Sequence, residues 1–291
     1  MRKLLLQLDS SRMPSVFDQV VAYDAGADAI MSYGGVTEQD VRDLVHGCIF
    51  TRSVKDLHNT AVWIGGNNMS AGEQLLAMAQ DALFAPFSVS IMLDSNGSNT
   101  TAVAAVVKIE ETIGDLQGKK AVILAGTGPV GQRAAGLLAK DGANVTITSR
   151  KPEQGDKARQ FIGARFNVEV DSVALNDPAK LPQVLEGAEI LFNSGPAGVQ
   201  MVPKAAWTAM GTLKIAVDLN AVPPLGIEGI EVGDAGQARN GVVVFGAFGI
   251  GNFKTKLHKE CVSRLFTRND LVLDAEAIAE VAREMVAKKK R

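Results

Sequence analysis

Cysteine is nearly missing from this chain: Cys48 and Cys261 are the only two among 291 residues, and they lie far apart. That excludes a disulfide framework, and in a cytosolic setting the pair reads as buried thiols rather than a bridge. Long apolar runs are missing as well. No stretch approaches the ~20 residues that span a bilayer, and "MRKLLLQLD" has too short an apolar core for a signal peptide. The expected location is therefore cytoplasmic, away from membranes. An excess of one charge is also absent: 30 Lys plus Arg face 32 Asp plus Glu, a net of -2, which leaves no electrostatic footprint for nucleic acid. The closing "KKKR" reads as a solvated tail. His46, Cys48, His58, His258 and Cys261 match no compact zinc-ligand spacing, so no metal is expected. Nucleophile-elbow, P-loop and Ser-His-Asp patterns are absent, as are internal repeats and low-complexity linkers. The chemistry is then expected to belong to a cofactor.

What is present is a hydrophobic fraction of 46%, enough for a large core and for two lobes around a cleft. In the N-terminal third, "KLLLQLD", "AIMSY", "CIFTR", "AVWIGG" and "VSIMLD" read as strands. Helical patterns lie between them: one starting at Pro14 and ending by Gly26, one opened by Thr37, and one with the Ser70/Glu73 spacing of a capping box. "DSNGSNTT" suits a turn feeding a helix through about Ile113. From Gly118 on, strands near 121–125, 144–148, 168–172, 189–193, 214–218 and 242–246 alternate with helices, which argues for a doubly wound parallel sheet. The expected fold class is α/β with two lobes: an α/β domain over 1–115, a Rossmann-type domain over 116–251, and C-terminal helices from 252 to 291 packing back on the first lobe.

The most informative stretch is "AVILAGTGPVGQRAAGLLAK". Gly126, Gly128 and Gly131 form GxGxxG directly between a strand and a helix, the context that gives the pattern meaning. Gly126 would permit the turn, Gly128 the approach of a pyrophosphate and Gly131 close helix packing; Thr127, Pro129 and Val130 complete the loop. The competing use is a glycine turn for packing alone. At the end of the next strand a NAD site usually carries Asp or Glu, whereas this chain reads "TSRK". Arg150 can clamp a 2′-phosphate bidentately, with Ser149 as a donor and Lys151 adding charge, so NADP is the expected cofactor. The alternative is that Arg150 and Lys151 are solvated loop charges. "NSGPAG" with Ser194 and "DLNAVPPLGI" with Asn220 follow later strands on the same carboxyl edge, where cofactors bind. "FGAFGIGNFKTKLHK" runs through three glycines into a helix expected to begin near Asn252, bringing Lys254 and Lys256 toward the cleft.

"PSVFD", "YDAGAD", "MLDSNGSNTT", "LAGTGPVG", "PPLGI" and "FGAFGIG" with "KTKLH" resemble the bacterial NADP-dependent methylene-tetrahydromethanopterin dehydrogenases of one-carbon metabolism, some of which also accept methylene-tetrahydrofolate. The resemblance runs from the first strand to the last helix. It implies a pterin-binding lobe facing an NADP-binding lobe, a reduced pterin as substrate, and hydride transfer from the methylene bridge to nicotinamide C4. It also implies a homo-oligomer, a trimer among the forms. On this basis the active-site lysine is Lys254, with Lys256 second. Asp18 and Asp24 would accept from pterin N–H groups, and Ser98, Thr100 and Thr101 would line the cleft. Tyr23 and Tyr33 have no lysine four residues on, so the cyclohydrolase activity of the bifunctional folate enzymes is not expected. Two other readings remain: a shikimate-type dehydrogenase acting on a small hydroxy acid or ketone, and a non-catalytic NADP-sensing regulator. The sequence leaves open the choice of carrier, the direction of flux and the number of subunits.

Overall fold

The computed structural model describes residues 1–289, so Lys290 and Arg291 of the expected tail lie outside the described residues. The chain divides into two compact units, Met1–Thr100 with the chain from Thr255 on, and Thr101–Lys254.

The first unit is built on β1 (Leu4–Asp9), α1 (Val16–Asp24), β2 (Ala29–Gly34), α2 (Glu38–Ile49), β3 (Thr60–Gly65), α3 (Met69–Asp81) and β4 (Ser90–Leu93). A single turn of 3₁₀ helix, Ser95–Gly97, leads into α4 (Ser98–Ile113). The period of two along "LLLQLD" decides how β1 is used. Leu6 and Leu8 join Val62, Ile64, Ile91 and Leu93 in one apolar layer under α2 and α3. Each such fully buried side chain contributes roughly 1.5–3 kcal/mol. Leu5, Gln7 and Asp9 alternate to the opposite face, where Trp63 and Gly65 of β3 are their neighbours. After the second unit the chain returns as β12 (Val272–Leu273), which pairs in parallel with β4. The sheet order is β12-β4-β3-β1-β2, parallel throughout.

The second unit contains β5 (Lys120–Leu124), α5 (Pro129–Lys140), β6 (Asn144–Ser149), α6 (Pro152–Phe166), β7 (Asp171–Ala174), α7 (Leu181–Leu185), β8 (Ile190–Asn193), α8 (Lys204–Thr208), β9 (Ile215–Asp218), β10 (Ala235–Arg239) and β11 (Val242–Phe245). Its sheet order is β10-β11-β9-β8-β5-β6-β7, parallel except for β10. This is the doubly wound arrangement with an antiparallel strand added at one edge. Two long helices follow β11, α9 (Ala247–Leu265) and, after β12, α10 (Ala275–Lys289). The unit boundaries fall inside α4 and α9.

Several local expectations are corrected. "CIFTR" is not a strand: Cys48 and Ile49 complete α2, where they lie on one buried stripe with Val41 and Val45 at helical spacing. Ser70 is not an N-cap, since Asn68 accepts from the Ala71 amide at 3.1 Å and starts α3 two residues earlier than Ser70 could. Pro14 precedes the cap of α1, which is Ser15 accepting from the Asp18 amide at 3.2 Å. The helix expected from Asn252 starts at Ala247 and takes Gly249 and Gly251 into its first turns.

Candidate functional site

In the second sheet the strand order reverses at β5, with β6 on one side and β8 on the other. Ligands bind outside the carboxyl ends of strands at such a point, and the glycine motif sits there. Its three glycines have different reasons to be glycine. A Cβ on Gly126 would lie 2.7 Å from Ile147 Cβ, and one on Gly131 would lie 2.6 Å from Ser194 Oγ and 2.7 Å from Gly126 Cα. Those two positions are demanded by packing within the protein. A Cβ on Gly128 would meet only the Ala125 carbonyl, at 4.0 Å. Among the described residues nothing explains that glycine, whereas the close approach of a ligand would. Gly128 is also the N-cap of α5 and offers no capping side chain, and Pro129 follows at the first helical position. The Val130 and Gly131 amides therefore open α5 with the positive end of the helix dipole and no side-chain acceptor. The turn is gripped from both sides. The Ala125 amide donates to Thr148 Oγ1 and the Gly126 amide to the Thr148 carbonyl, each at 3.0 Å, while Gln132 Nε2 donates to the Thr127 carbonyl at 2.7 Å.

Around the turn, the expected partners separate into holders of the loop and free surface. Ser194 donates its hydroxyl to the Leu124 carbonyl at 3.0 Å and so pins β8 against the motif. Asn220 is buried, and its carboxamide accepts from the Gly198 and Val222 amides and donates to the Pro224 carbonyl. It locks the two loops beyond β8 and β9 together. Ser149 is buried and donates to the Lys151 carbonyl at 2.9 Å, whereas Arg150 and Lys151 are exposed at the end of β6. No carboxylate occupies positions 149–151.

In the first sheet the order reverses at β1, between β2 and β3, which places Asp9, Ser10, Gly65 and Gly66 at the equivalent crevice. Asp18 lies on the inner face of α1 with Val21 and Ala22, its Oδ2 3.6 Å from where a Cβ on Gly65 would be. Asp24 faces outward and is paired with Lys259 at 2.7 Å, with its side chain about half exposed (52%). It ties α1 to α9. Ser98 and Thr100 are fully buried. Ser98 Oγ donates to the Ser95 carbonyl at 2.7 Å, and the Thr100 amide and hydroxyl donate to Asp94 at 2.9 and 2.6 Å. These hydroxyls shape the turn after β4, while Thr101 is half-buried in α4. On α9 the buried stripe is Ile250, Leu257, His258, Cys261, Val262 and Leu265. Lys254 falls on that stripe, one turn before His258, and is half-buried. Lys256 points away from the stripe and is exposed.

The comparisons with known proteins bear on this arrangement. Residues 16–96 match the family model described as methylene-tetrahydromethanopterin dehydrogenase, N-terminal. The bifunctional protein MdtA of Methylorubrum extorquens is 46% identical over 285 residues, 98% of this chain and 99% of the relative. The NAD(P)-dependent methylenetetrahydromethanopterin dehydrogenase of the same organism is 32% identical over 261 residues, covering 87% and 88%.

The chain belongs to the methylene-tetrahydromethanopterin dehydrogenase family.

Two solved structures share the fold. A shikimate dehydrogenase solved with NADP+ matches with a TM-score of 0.52 at 13% identity, over 98% of this chain and 96% of that one. The 5-ketofructose reductase of Gluconobacter sp. strain CHM43 matches with a TM-score of 0.50 at 14% identity, covering 98% and 99%. At such identities they show the two-lobe dehydrogenase fold alone.

Sequence reasoning missed several polar residues of this methylene-tetrahydromethanopterin dehydrogenase family member. Asn193 and Asp218 end neighbouring strands in register and are joined by a 2.8 Å hydrogen bond. Asp218 also accepts from the Asn220 and Ile227 amides, so one carboxylate organises the carboxyl edge of the sheet. Asp9 was missed at the end of β1, where it accepts from the Ser11 and Ser15 amides. The available signal was positional: each ends an apolar strand on the ligand-binding edge. Both thiols are buried and unbridged, and burial pushes Cys48 up to about 12 and Cys261 higher still. Among the described residues no group of three or more His, Cys, Asp or Glu is placed to hold a metal ion, and no helix is long and apolar enough to cross a membrane.

Proposed function

We infer that the protein is an NADP-dependent oxidoreductase that converts methylene-tetrahydromethanopterin to its methenyl form, with methylene-tetrahydrofolate as a second substrate in keeping with the bifunctional relative. Family membership over 98% of the chain supports the reaction. The single observation that carries the cofactor site is Gly128, a glycine at the β5/β8 switch point that no atom of the described residues requires, beside the uncapped amides of α5. The group that fits there supplies a hydride acceptor, C4 of the nicotinamide ring.

The chain itself contributes binding and orientation. The amides of Val130 and Gly131 and the space at Gly128 would hold the pyrophosphate. Arg150 and Lys151 would take the 2′-phosphate as two exposed cations, with no carboxylate at positions 149–151. Hydride loss from a carbon between two nitrogens leaves a cation that their lone pairs stabilise, so no proton transfer is obligatory. Catalysis then rests on alignment and exclusion of water, which explains why no general acid/base pair stands out. Lys254, on the buried face of α9, would orient the pterin by a charge-assisted hydrogen bond, and Asp18 would accept from its N–H groups. Ser194 and Asn220 act on the ligand through the loops they hold. The assembly is a homo-oligomer on this reading, and α1 exposes Val16, Phe17, Val20 and Tyr23 along one side for a second copy to cover.

The test is a pair of lysine variants. Lys254→Ala is expected to lower kcat/KM for the pterin by about 100-fold or more while NADP affinity stays within twofold. Lys256→Ala, on the exposed side, should fall within about threefold of wild type. Equal losses in both variants would remove Lys254 from its role.

A further inference from the structure

Two carboxylates of the second unit are buried, Asp218 at 1% exposure and Asp234 at 4%. They are treated differently. Asp234 is matched by a cation, with Arg239 donating to its two oxygens at 2.7 and 2.8 Å. Asp218 has neutral donors alone. Its Oδ1 accepts from Asn193 Nδ2 at 2.8 Å and from the Asn220 amide at 3.0 Å, and its Oδ2 accepts from the Ile227 amide at 2.8 Å. Three N–H donors directed at the two oxygens hold the ionised form. Among the described residues Asp218 makes no ion pair. Buried charges are ordinarily paired, so this one calls for a cation from outside the chain. It stands close to the glycine turn. β9 lies two strands from β5, a spacing of about 10 Å. Asn193, the partner of Asp218, is followed by Ser194, whose hydroxyl lies 3.0 Å from the Leu124 carbonyl and 3.4 Å from that of Ala125. The loop after β9 presses on the pair, since a Cβ on Gly226 would collide with Asn193 Nδ2.

We propose that Asp218 selects the redox state of the cofactor, its buried charge favouring the oxidised, cationic nicotinamide over the neutral reduced ring. This rests on the NADP reading of the preceding section and deepens it. A dinucleotide spans both halves of a doubly wound sheet. With Arg150 at the end of β6 taking the 2′-phosphate, the adenosine half falls on the β6 side of the switch point. The nicotinamide half then falls on the β8/β9 side, where Asp218 stands. Phosphates and riboses are the same in both forms of the cofactor, so contacts at Gly128 and Arg150 do not tell them apart. A charge does. The oxidised ring carries one positive charge and the reduced ring none. At the two-strand spacing of about 10 Å and an effective dielectric of about 20, a unit charge pair changes an equilibrium roughly tenfold. Burial limits its screening by salt. NADPH is then held less tightly than NADP, which aids its release in the oxidative direction.

The test is the ratio of two dissociation constants, for NADPH and for NADP, measured by titration calorimetry without pterin so that no turnover enters. Wild type is expected to bind NADP the more tightly. Asp218→Asn, isosteric and neutral, should lower the ratio of Kd for NADPH to Kd for NADP about tenfold. Asn193→Ala removes one hydrogen bond from Asp218 and keeps its charge. It should weaken both forms by a common factor and leave the ratio within twofold. A thermal melt is the folding control for each variant. An unmoved ratio in folded Asp218→Asn, with both forms weakened alike, would overturn the proposal and leave Asp218 a structural residue. A ratio that moves as far in Asn193→Ala as in Asp218→Asn would also overturn it. If Asp218→Asn does not fold, the wild-type ratio decides, and NADPH bound as tightly as NADP, or more so, overturns the proposal. Protein that binds neither form refutes the NADP reading itself, whereas binding of both with an unmoved ratio refutes this inference alone.

Discussion

At the residue scale, three glycines of one motif make different demands, and that difference is measurable. Gly128→Ala should fold with an unchanged melting temperature, because its φ of -79° suits alanine and only the Ala125 carbonyl is near. Its NADP affinity should fall about tenfold or more. Gly126→Ala should instead cost about 1–3 kcal/mol of stability, since the added methyl overlaps Ile147; a chemical denaturation curve separates the two. If Gly128→Ala binds NADP as wild type does, the phosphate site lies elsewhere. Arg150→Ala is the matching test of the 2′-phosphate: KM for NADP should rise about tenfold or more with KM for NAD little changed, and equal losses would contradict it. GxGxxG and "TSRK" carried these residues in plain view. The pairing of Asn193 with Asp218 was not legible, because which donor meets which acceptor depends on side-chain directions that no spacing rule encodes.

At the element scale, periodicity located most strands and helices, and the misses share a cause. "CIFTR" looks extended by composition, yet Cys48 and Ile49 fall on the α2 stripe, and burial of that stripe decides. β10 reads "AGQAR" with no apolar alternation; it exists because β11 offers it an edge, a tertiary fact. The start of α9 was placed late because glycines disfavour helix, but Gly249 approaches the Asp234 carbonyl too closely for any side chain. The capping residue of α3 is a local matter that a variant can check. Asn68→Ala should lower stability by about 1 kcal/mol, whereas Ser70→Ala, inside the helix, should stay within about 0.5 kcal/mol. The reverse order would restore the capping box that the sequence implied.

At the scale of the whole molecule, two sheets, one parallel and the other parallel except at its β10 edge, follow one rule, each reversing its strand order at a point where glycines and strand-end polar residues gather. The second reversal bears the dinucleotide motif and the first bears Asp9, Asp18, Trp63 and Gly65. The α/β alternation of the sequence made this architecture legible, whereas β12 was not, since its two residues, Val272–Leu273, are too few to show a period. The most direct test of the central claim is absorbance at 340 nm with NADP and, in parallel, methylene-tetrahydromethanopterin or methylene-tetrahydrofolate, with NAD as the matched control. The expected result is NADPH formation with at least the methanopterin carrier and a much slower rate with NAD. No absorbance change with either carrier, from protein that still binds NADP, would contradict the assignment.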